Sequence, residues 1–330
     1  MILINLFDYI ISFLTPNHPH SPTSLLLILL LTLTVACNEK TSRLPESCRP
    51  INHGMGKTCV PSNPERVVAL NSSAIDTLLV LEMKPVGVIS NTVDLLGDRT
   101  TNITKVGQEG TVNLEAIVKL QPDLIIGSVY NDENIYPQLS QIAPTVLRDG
   151  QTNGEWQEDL LFNAEVLGKK EEAQQLLAEY EQRLTDFKTQ MGERLQEVEI
   201  SLVRVYPEQI SIYLNNSFAG TILEDAGLSR PDFQNQGIRG EAPFQIMISR
   251  EETSLADGDV IFLWTYGTSA EIKSQAESQL NRLKNDPLWQ QLGAVKNGQV
   301  YQIPPYWNVP SLMAANRVVD DLFRYLVNEQ

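Results

Sequence analysis

The segments Asn113–Gly127 (NLEAIVKLQPDLIIG) and Ser249–Trp264 (SREETSLADGDVIFLW) are built on one plan. Each opens on a side chain suited to cap a helix, Asn113 or Ser249, and carries a glutamate two positions later, Glu115 or Glu251. Each then runs on to an aspartate, Asp123 or Asp259, that leads into an apolar strand. Eight positions separate glutamate from aspartate in both. Cap, length and following strand repeat together, which predicts two related α/β lobes with a carboxylate placed alike on each. If exposed, those carboxylates are a matched pair of handles for a two-fold symmetric partner.

Arg66–Leu70 reads as a strand, Asn71-Ser72-Ser73 as a helix cap, Ile75–Met83 as a helix and Pro85–Ile89 as a second strand. Tyr136–Val146 adds a further helix and strand. Strand, helix, strand is a parallel crossover, so an N-terminal lobe is expected over 61–155. From Trp156 to Val198 turn chemistry nearly vanishes, and Leu177, Tyr180, Leu184, Phe187, Met191 and Leu195 recur every three or four residues, a helix period. Gly168 divides these bridging helices, 156–198, into a shorter one and a long one from Lys169 to about Glu197. At 1.5 Å per residue the second reaches on the order of 40 Å, long enough to cross both lobes. The C-terminal lobe, 199–330, restarts with Ile200–Val205 and Gln209–Leu214, then the helical Thr221–Ala226 and the repeated unit. The expected fold is α/β: two Rossmann-like lobes with central parallel sheets joined by a single long α-helix.

The chain of 330 residues suits two lobes of moderate size. Its net charge of -16, from 41 acidic against 25 basic residues, argues against nucleic acid, which requires a basic face. Leu25–Ala36 (LLLILLLTLTVA) is an apolar run of the length of a signal-peptide core, and Thr34-Val35-Ala36-Cys37 resembles a bacterial lipobox. Residues 1–37 are therefore expected to be an export signal with Cys37 lipidated; an uncleaved membrane anchor is the alternative. Both place the body outside the cytoplasm, tethered to a membrane. Residues 38–60 form a tether and run-in. They hold Cys48 and Cys59, a pair that suits a disulfide in an oxidising compartment or is two independent thiols.

Catalytic chemistry is not visible. Histidine occurs only at 18, 20 and 53, so the lobes from Arg66 onward have no imidazole for a triad or a metal, and no glycine-rich phosphate loop is present. His53 is expected to be structural. Neither an enzyme nor a resident metal or cofactor is expected. Aromatics and arginines at strand ends point instead to a ligand cleft, because open parallel sheets bind ligands beyond their carboxyl ends. Trp264, Tyr266 and Tyr130 follow matching strands, Arg204 and Tyr206 end another, Trp307 lies in a proline-flanked loop, and Arg239 adds a cation. Together they would line a site for a flat, anionic, partly apolar ligand, with core packing the competing role for each aromatic.

Four blocks, Arg66–Gly87, Val112–Gly127, Ser201–Leu228 and Asn285–Ile303 with Tyr306-Trp307-Asn308 after it, resemble the iron-siderophore substrate-binding proteins of ABC importers. The resemblance implies a two-lobed fold bridged by one long helix, a ferric siderophore in the cleft with its iron held by the siderophore, and a monomer that delivers it to a dimeric permease. It assigns Glu115 and Glu251 to permease docking and Arg204 to the ligand. Some hydroxamate binders carry an arginine near the position of Val106-Gly107; this chain has Gln108-Glu109 there. A cobalamin or haem receptor of the same fold is the alternative.

Overall fold

The computed structural model describes residues 48–90, 99–150, 152–235, 244–267 and 269–328. The proposed export signal with Cys37 and the candidate Arg239 lie outside the described residues. From Ser47 onward the chain forms one compact unit.

It opens on a hairpin, β1 (Cys48–His53) and β2 (Gly56–Pro61), closed by a Cys48–Cys59 disulfide. The first lobe follows: β3 (Val67–Ala69), α1 (Ser72–Val80), β4 (Gly87–Val88), β5 (Thr104–Lys105), a small hairpin of β6 (Gly107–Gln108) and β7 (Thr111–Val112), α2 (Leu114–Leu120), β8 (Leu124–Ser128), α3 (Val129–Asp132), α4 (Tyr136–Ile142) and β9 (Thr145–Arg148). Its sheet has the order β5-β4-β3-β8-β9 and every pairing is parallel. Central strands of such a sheet are covered on both faces, and Val67–Ala69 and Leu124–Ile126 are accordingly unbroken apolar runs that are wholly buried.

Two helices carry the chain across. α5 (Trp156–Leu167) ends at Gly168, whose φ of 75° makes the left-handed turn in which its N–H closes on the carbonyls of Ala164 and Glu165. α6 (Lys170–Met191) has 22 residues, about 33 Å at 1.5 Å per residue, and buries Ala173, Leu177, Tyr180, Leu184, Phe187 and Met191 along one stripe. The regular helix is shorter than the periodicity predicts. Gly192, with φ of 57°, breaks it, and Gly192–Gln196 continues as a 3-10 turn.

The second lobe comprises β10 (Ile200–Val205), β11 (Ile210–Tyr213), α7 (Phe218–Asp225), β12 (Gln245–Ile248), a 3-10 helix (Arg250–Ala256), β13 (Val260–Thr265), α8 (Ala270–Lys284), α9 (Gly293–Lys296), β14 (Val300–Gln302) and α10 (Leu312–Leu322). Its sheet, β12-β11-β10-β13-β14, is mixed: β10, β12, β13 and β14 run the same way, and β11 alone runs against them, paired antiparallel with β10 and β12. The physical reason is the connection Tyr206–Gln209, far too short for a crossover, which turns β11 back as a hairpin.

The twin segments perform the same task in their two lobes. Asp123 accepts from the backbone N–H of Glu65 (2.7 Å) and Arg66 (2.9 Å) at the entry to β3, and Asp259 accepts from that of Glu199 (2.8 Å) at the entry to β10. Each aspartate also donates its own N–H back to the same entry, to Arg66 O and Glu199 O. The repeated aspartate thus ties each central strand to the strand beside it. The helical parts differ. Asn113 caps an α-helix through Ala116 N–H, whereas Ser249 forms a capping box with Glu252 on a 3-10 helix.

The lobes are latched by a buried carboxylate. Asp76 of α1 accepts from the backbone N–H groups of Leu312 (2.9 Å) and Met313 (3.3 Å), at the N-terminus of α10 from the other end of the chain. Burial raises its pKa from 3.8 to about 7, against the two N–H donors, which lower it. The folded state therefore binds more protons than the unfolded state between about pH 4 and 7, and this group's contribution to stability is lost as pH rises through that window. The protein is expected to lose on the order of 3–4 kcal/mol relative to an Asp76→Asn variant between pH 4 and 7.5. Denaturant unfolding at the two pH values checks this; an unchanged difference contradicts it.

Candidate ligand-binding cleft

The carboxyl ends of the strands of both lobes open onto one cleft of about 540 Å³. The first lobe contributes Asn71-Ser72-Ser73 at the start of α1, Ser128 at the end of β8 and Arg148 at the end of β9. From the second come Arg204 on β10, Tyr266 just beyond β13, and Asn308–Pro310 ahead of α10. α5 supplies Asp159 and Asn163. Most of the residues that line it carry a hydroxyl, an amide or a charge.

Arg204 stands among three tyrosines. Its Nη1 donates to Tyr213 Oη at 2.7 Å, and its guanidinium lies 4.8 Å from the Tyr266 ring and 5.4 Å from the Tyr206 ring. Tyr206 and Tyr266 stack with centroids 4.8 Å apart, so the cation rests on an aromatic platform. Arg204 Nε is buried with no hydrogen-bond partner among the described residues, a donor that a ligand oxygen can satisfy. Burial of Tyr213 pushes its hydroxyl pKa upward, which keeps it neutral beside the guanidinium.

Arg148 is held on α5. Its Nε donates to Asp159 Oδ1 (2.8 Å), Nη2 to Glu155 Oε2 (3.3 Å) and Nη1 to Asp149 O (2.8 Å). Burial raises Asp159 to about 6 against the pull of Arg148, so the pair is poorly solvated. Glu109, at the position where the resemblance expects an arginine in some hydroxamate binders, also lines the cleft. Its carboxyl pKa is raised by burial and by neighbouring Asp132.

The predicted site residues separate. Arg204 and Tyr266 line the cleft, and Tyr206 supports them from behind. Trp264 and Trp307 do not. Trp264 is 1% exposed because it shares its strand face with Phe262 and packs edge-on against Tyr213, 4.8 Å away. Trp307 is fully buried because Pro305–Asn308 forms a 3-10 turn that points the indole inward, where Nε1 donates to Asp321 Oδ2 at 2.8 Å. Tyr130 is 93% exposed and lies off the cleft wall. It lies in the short helix α3 after β8, which carries it outward. Glu115 and Glu251 are both exposed in the first turns of their helices. Arg148, Asp159 and Asn308 were not anticipated. The signal for Arg148 was present: it ends a strand of the first lobe as Arg204 nearly ends one of the second.

Among the described residues no three His, Cys, Asp or Glu side chains gather to hold a metal ion. The profile of the periplasmic binding protein family matches residues 67–307. The chain is 32% identical over 321 residues to the probable siderophore-binding lipoprotein YfiY of Bacillus subtilis (strain 168), covering 92% of this chain and 98% of that protein. It is 30% identical over 260 residues to the Fe(3+)-citrate-binding protein YfmC of the same organism, with 77% of each covered. Among solved structures, Staphylococcus aureus SirA complexed with staphyloferrin B superimposes with a TM-score of 0.76 at 30% identity, over 84% of this chain and 98% of that one.

Proposed function

The chain belongs to the periplasmic binding protein family, and we propose that it captures a ferric siderophore between its lobes and delivers it to the permease of an ABC importer. It does so outside the cytoplasm, tethered to the membrane through a lipid on Cys37. The family is one of binding proteins, and no catalytic step is assigned to this chain. Iron in such a chelate already has its oxygen shell, so the cleft's task is to recognise an anionic chelate rather than to ligate a metal.

The observation that carries the reading is the pair of guanidinium groups on one polar cleft, Arg204 from the second lobe and Arg148 from the first. Arginine suits carboxylate recognition, through its planar fork of donors and its stacking on aromatic rings. Ser72, Asn308 and the N-terminus of α1 add neutral donors. This lining favours a carboxylate-bearing ferric chelate over one that presents aromatic faces, in keeping with the Fe(3+)-citrate-binding relative.

Titrating the protein with ferric citrate, a ferric hydroxamate, a ferric catecholate, haem and cobalamin, and following emission of its four tryptophans, tests the proposal. Saturable quenching with one-to-one stoichiometry is expected for the carboxylate chelate. Quenching by haem or cobalamin alone overturns the siderophore assignment, and no response to any compound overturns the binding function.

A further inference from the structure

The hairpin β1–β2 lies ahead of residue 67, where the family match begins, and it touches both β9 and α5. Its contacts are specific. Arg49 donates from Nη1 to Glu165 O (2.6 Å) and from Nη2 to Val166 O (2.7 Å), gripping the carbonyl end of α5. A guanidinium there satisfies helix carbonyls and opposes the negative end of the helix dipole. At the hairpin's other end the tip docks against the first lobe's edge strand β9. Gly54 N–H donates to Leu147 O (3.0 Å), and Leu147 N–H donates to His53 Nδ1 (3.3 Å). The imidazole nitrogen stands where a carbonyl of a further strand would be.

The ring's tautomer follows from its partners. The Thr58 hydroxyl donates to Thr145 O (3.0 Å), so it accepts from His53 Nε2–H (2.8 Å) and leaves Nδ1 as the acceptor for Leu147 and Met55. A Cβ on Gly54 would collide with Val129, beside the cleft residue Ser128, so the tip fits closely. The Cys48–Cys59 disulfide closes the hairpin next to Arg49.

One hairpin therefore holds both β9, at the residue before Arg148, and α5, which carries Asp159 and begins just after Glu155. These are the two elements whose side chains meet in the cleft. We propose that the disulfide-closed hairpin is a clamp that sets Arg148 on the cleft wall, with His53 and Arg49 as positioning residues for the anionic ligand. The proposal rests on the reading of the cleft given above. It explains why the hairpin spends its only described histidine on backbone N–H groups, those of Leu147 and Met55.

The test compares His53→Phe, His53→Asn, Arg49→Gln and the double variant Cys48→Ser, Cys59→Ser in the full chain. Dissociation constants for ferric citrate are measured well below each variant's melting temperature, and exchange of the Leu147 amide is measured without ligand. His53→Asn keeps an acceptor near the place of Nδ1. It is expected to bind within about twofold of the unsubstituted protein and to keep Leu147 protected. His53→Phe, Arg49→Gln and the double variant are expected to bind about tenfold more weakly, and His53→Phe to exchange Leu147 faster; tenfold is about 1.4 kcal/mol. A His53→Phe protein that binds ferric citrate as tightly as the parent overturns the clamp, as does a His53→Asn protein as weak as His53→Phe. Arg49→Gln keeps the proposal open to refutation if His53→Phe fails to fold. If the parent binds no ferric chelate, the reading of the cleft fails, whereas unchanged Leu147 exchange in His53→Phe refutes the clamp by itself.

Discussion

A protein carrying Glu115→Ala and Glu251→Ala together is expected to bind its ferric ligand with the parent's dissociation constant and to support no uptake above background. Both glutamates are exposed, and neither lines the cleft. Each stands in the first turn of the helical segment that leads into a central strand, β8 or β13. A helix that returns to a parallel strand begins near the carboxyl ends of that sheet. Glu115 is thereby placed toward the rim on which the cleft opens, and Glu251 occupies the equivalent place in the repeated unit. Two carboxylates on related lobes match a two-fold partner with a cation on each half. Once docked, each charge pair is desolvated, and truncating one member costs about 2 kcal/mol or more. Two such losses weaken docking on the order of a thousandfold. The single variants are expected to retain partial uptake, and the parent's uptake to fall with ionic strength, as for association steered by surface charge. Radiolabelled iron uptake set beside ligand titration separates the two properties. Normal uptake by the double variant removes both residues from docking.

The division between what the chain states plainly and what it conceals follows the range of the forces involved. Local patterns were legible. The caps Asn113 and Ser249, the stripe Leu177 to Met191 and the apolar run Leu124–Ile126 are each decided by neighbours a few residues away, and the structure builds them as read. The aspartates Asp123 and Asp259 were visible as a repeat, but their work was not, because their partners at Glu65, Arg66 and Glu199 lie about 60 residues upstream. Strand ends were a sound guide to Arg204 and Tyr266. They misled for Trp264, where the alternation of the strand decides which face a side chain takes, and for Trp307, where a 3-10 turn reverses the expected direction. Arg148 escaped notice because the predicted strand stopped at Val146, two residues short. His53 reads as a structural histidine from its place in the run-in to the first strand, yet its acceptor role toward Leu147 depends on a contact 94 residues away.

Arg204→Ala is expected to weaken an anionic ferric chelate by about 1.5–3 kcal/mol, the loss of a hydrogen bond to a charged group, or about 10- to 150-fold. The geometry says why the loss should fall on binding and spare the fold. The guanidinium is half-buried on the cleft wall, supported by Tyr266 and Tyr206 beneath it and by one hydrogen bond to Tyr213 Oη. Truncation leaves the Tyr213 hydroxyl within 3.4 Å of Tyr206 Oη, so no buried hydroxyl is stranded, and the melting temperature should move little. Arg204→Lys is expected to recover only part of the affinity, because an ammonium keeps the charge but lacks both the planar fork and the stacking on the tyrosine pair. Tyr213→Phe isolates the orienting bond. It keeps the ring that packs on Trp264 and removes the acceptor for Nη1, so a loss of several-fold is expected, smaller than for Arg204→Ala. Salt sensitivity of the dissociation constant should fall for Arg204→Ala, which removes a charge, and stay near the parent's for Tyr213→Phe and Arg204→Lys, which do not. An unchanged dissociation constant for Arg204→Ala would take Arg204 out of the site and leave Arg148 as the cleft's sole anchoring cation among the described lining residues.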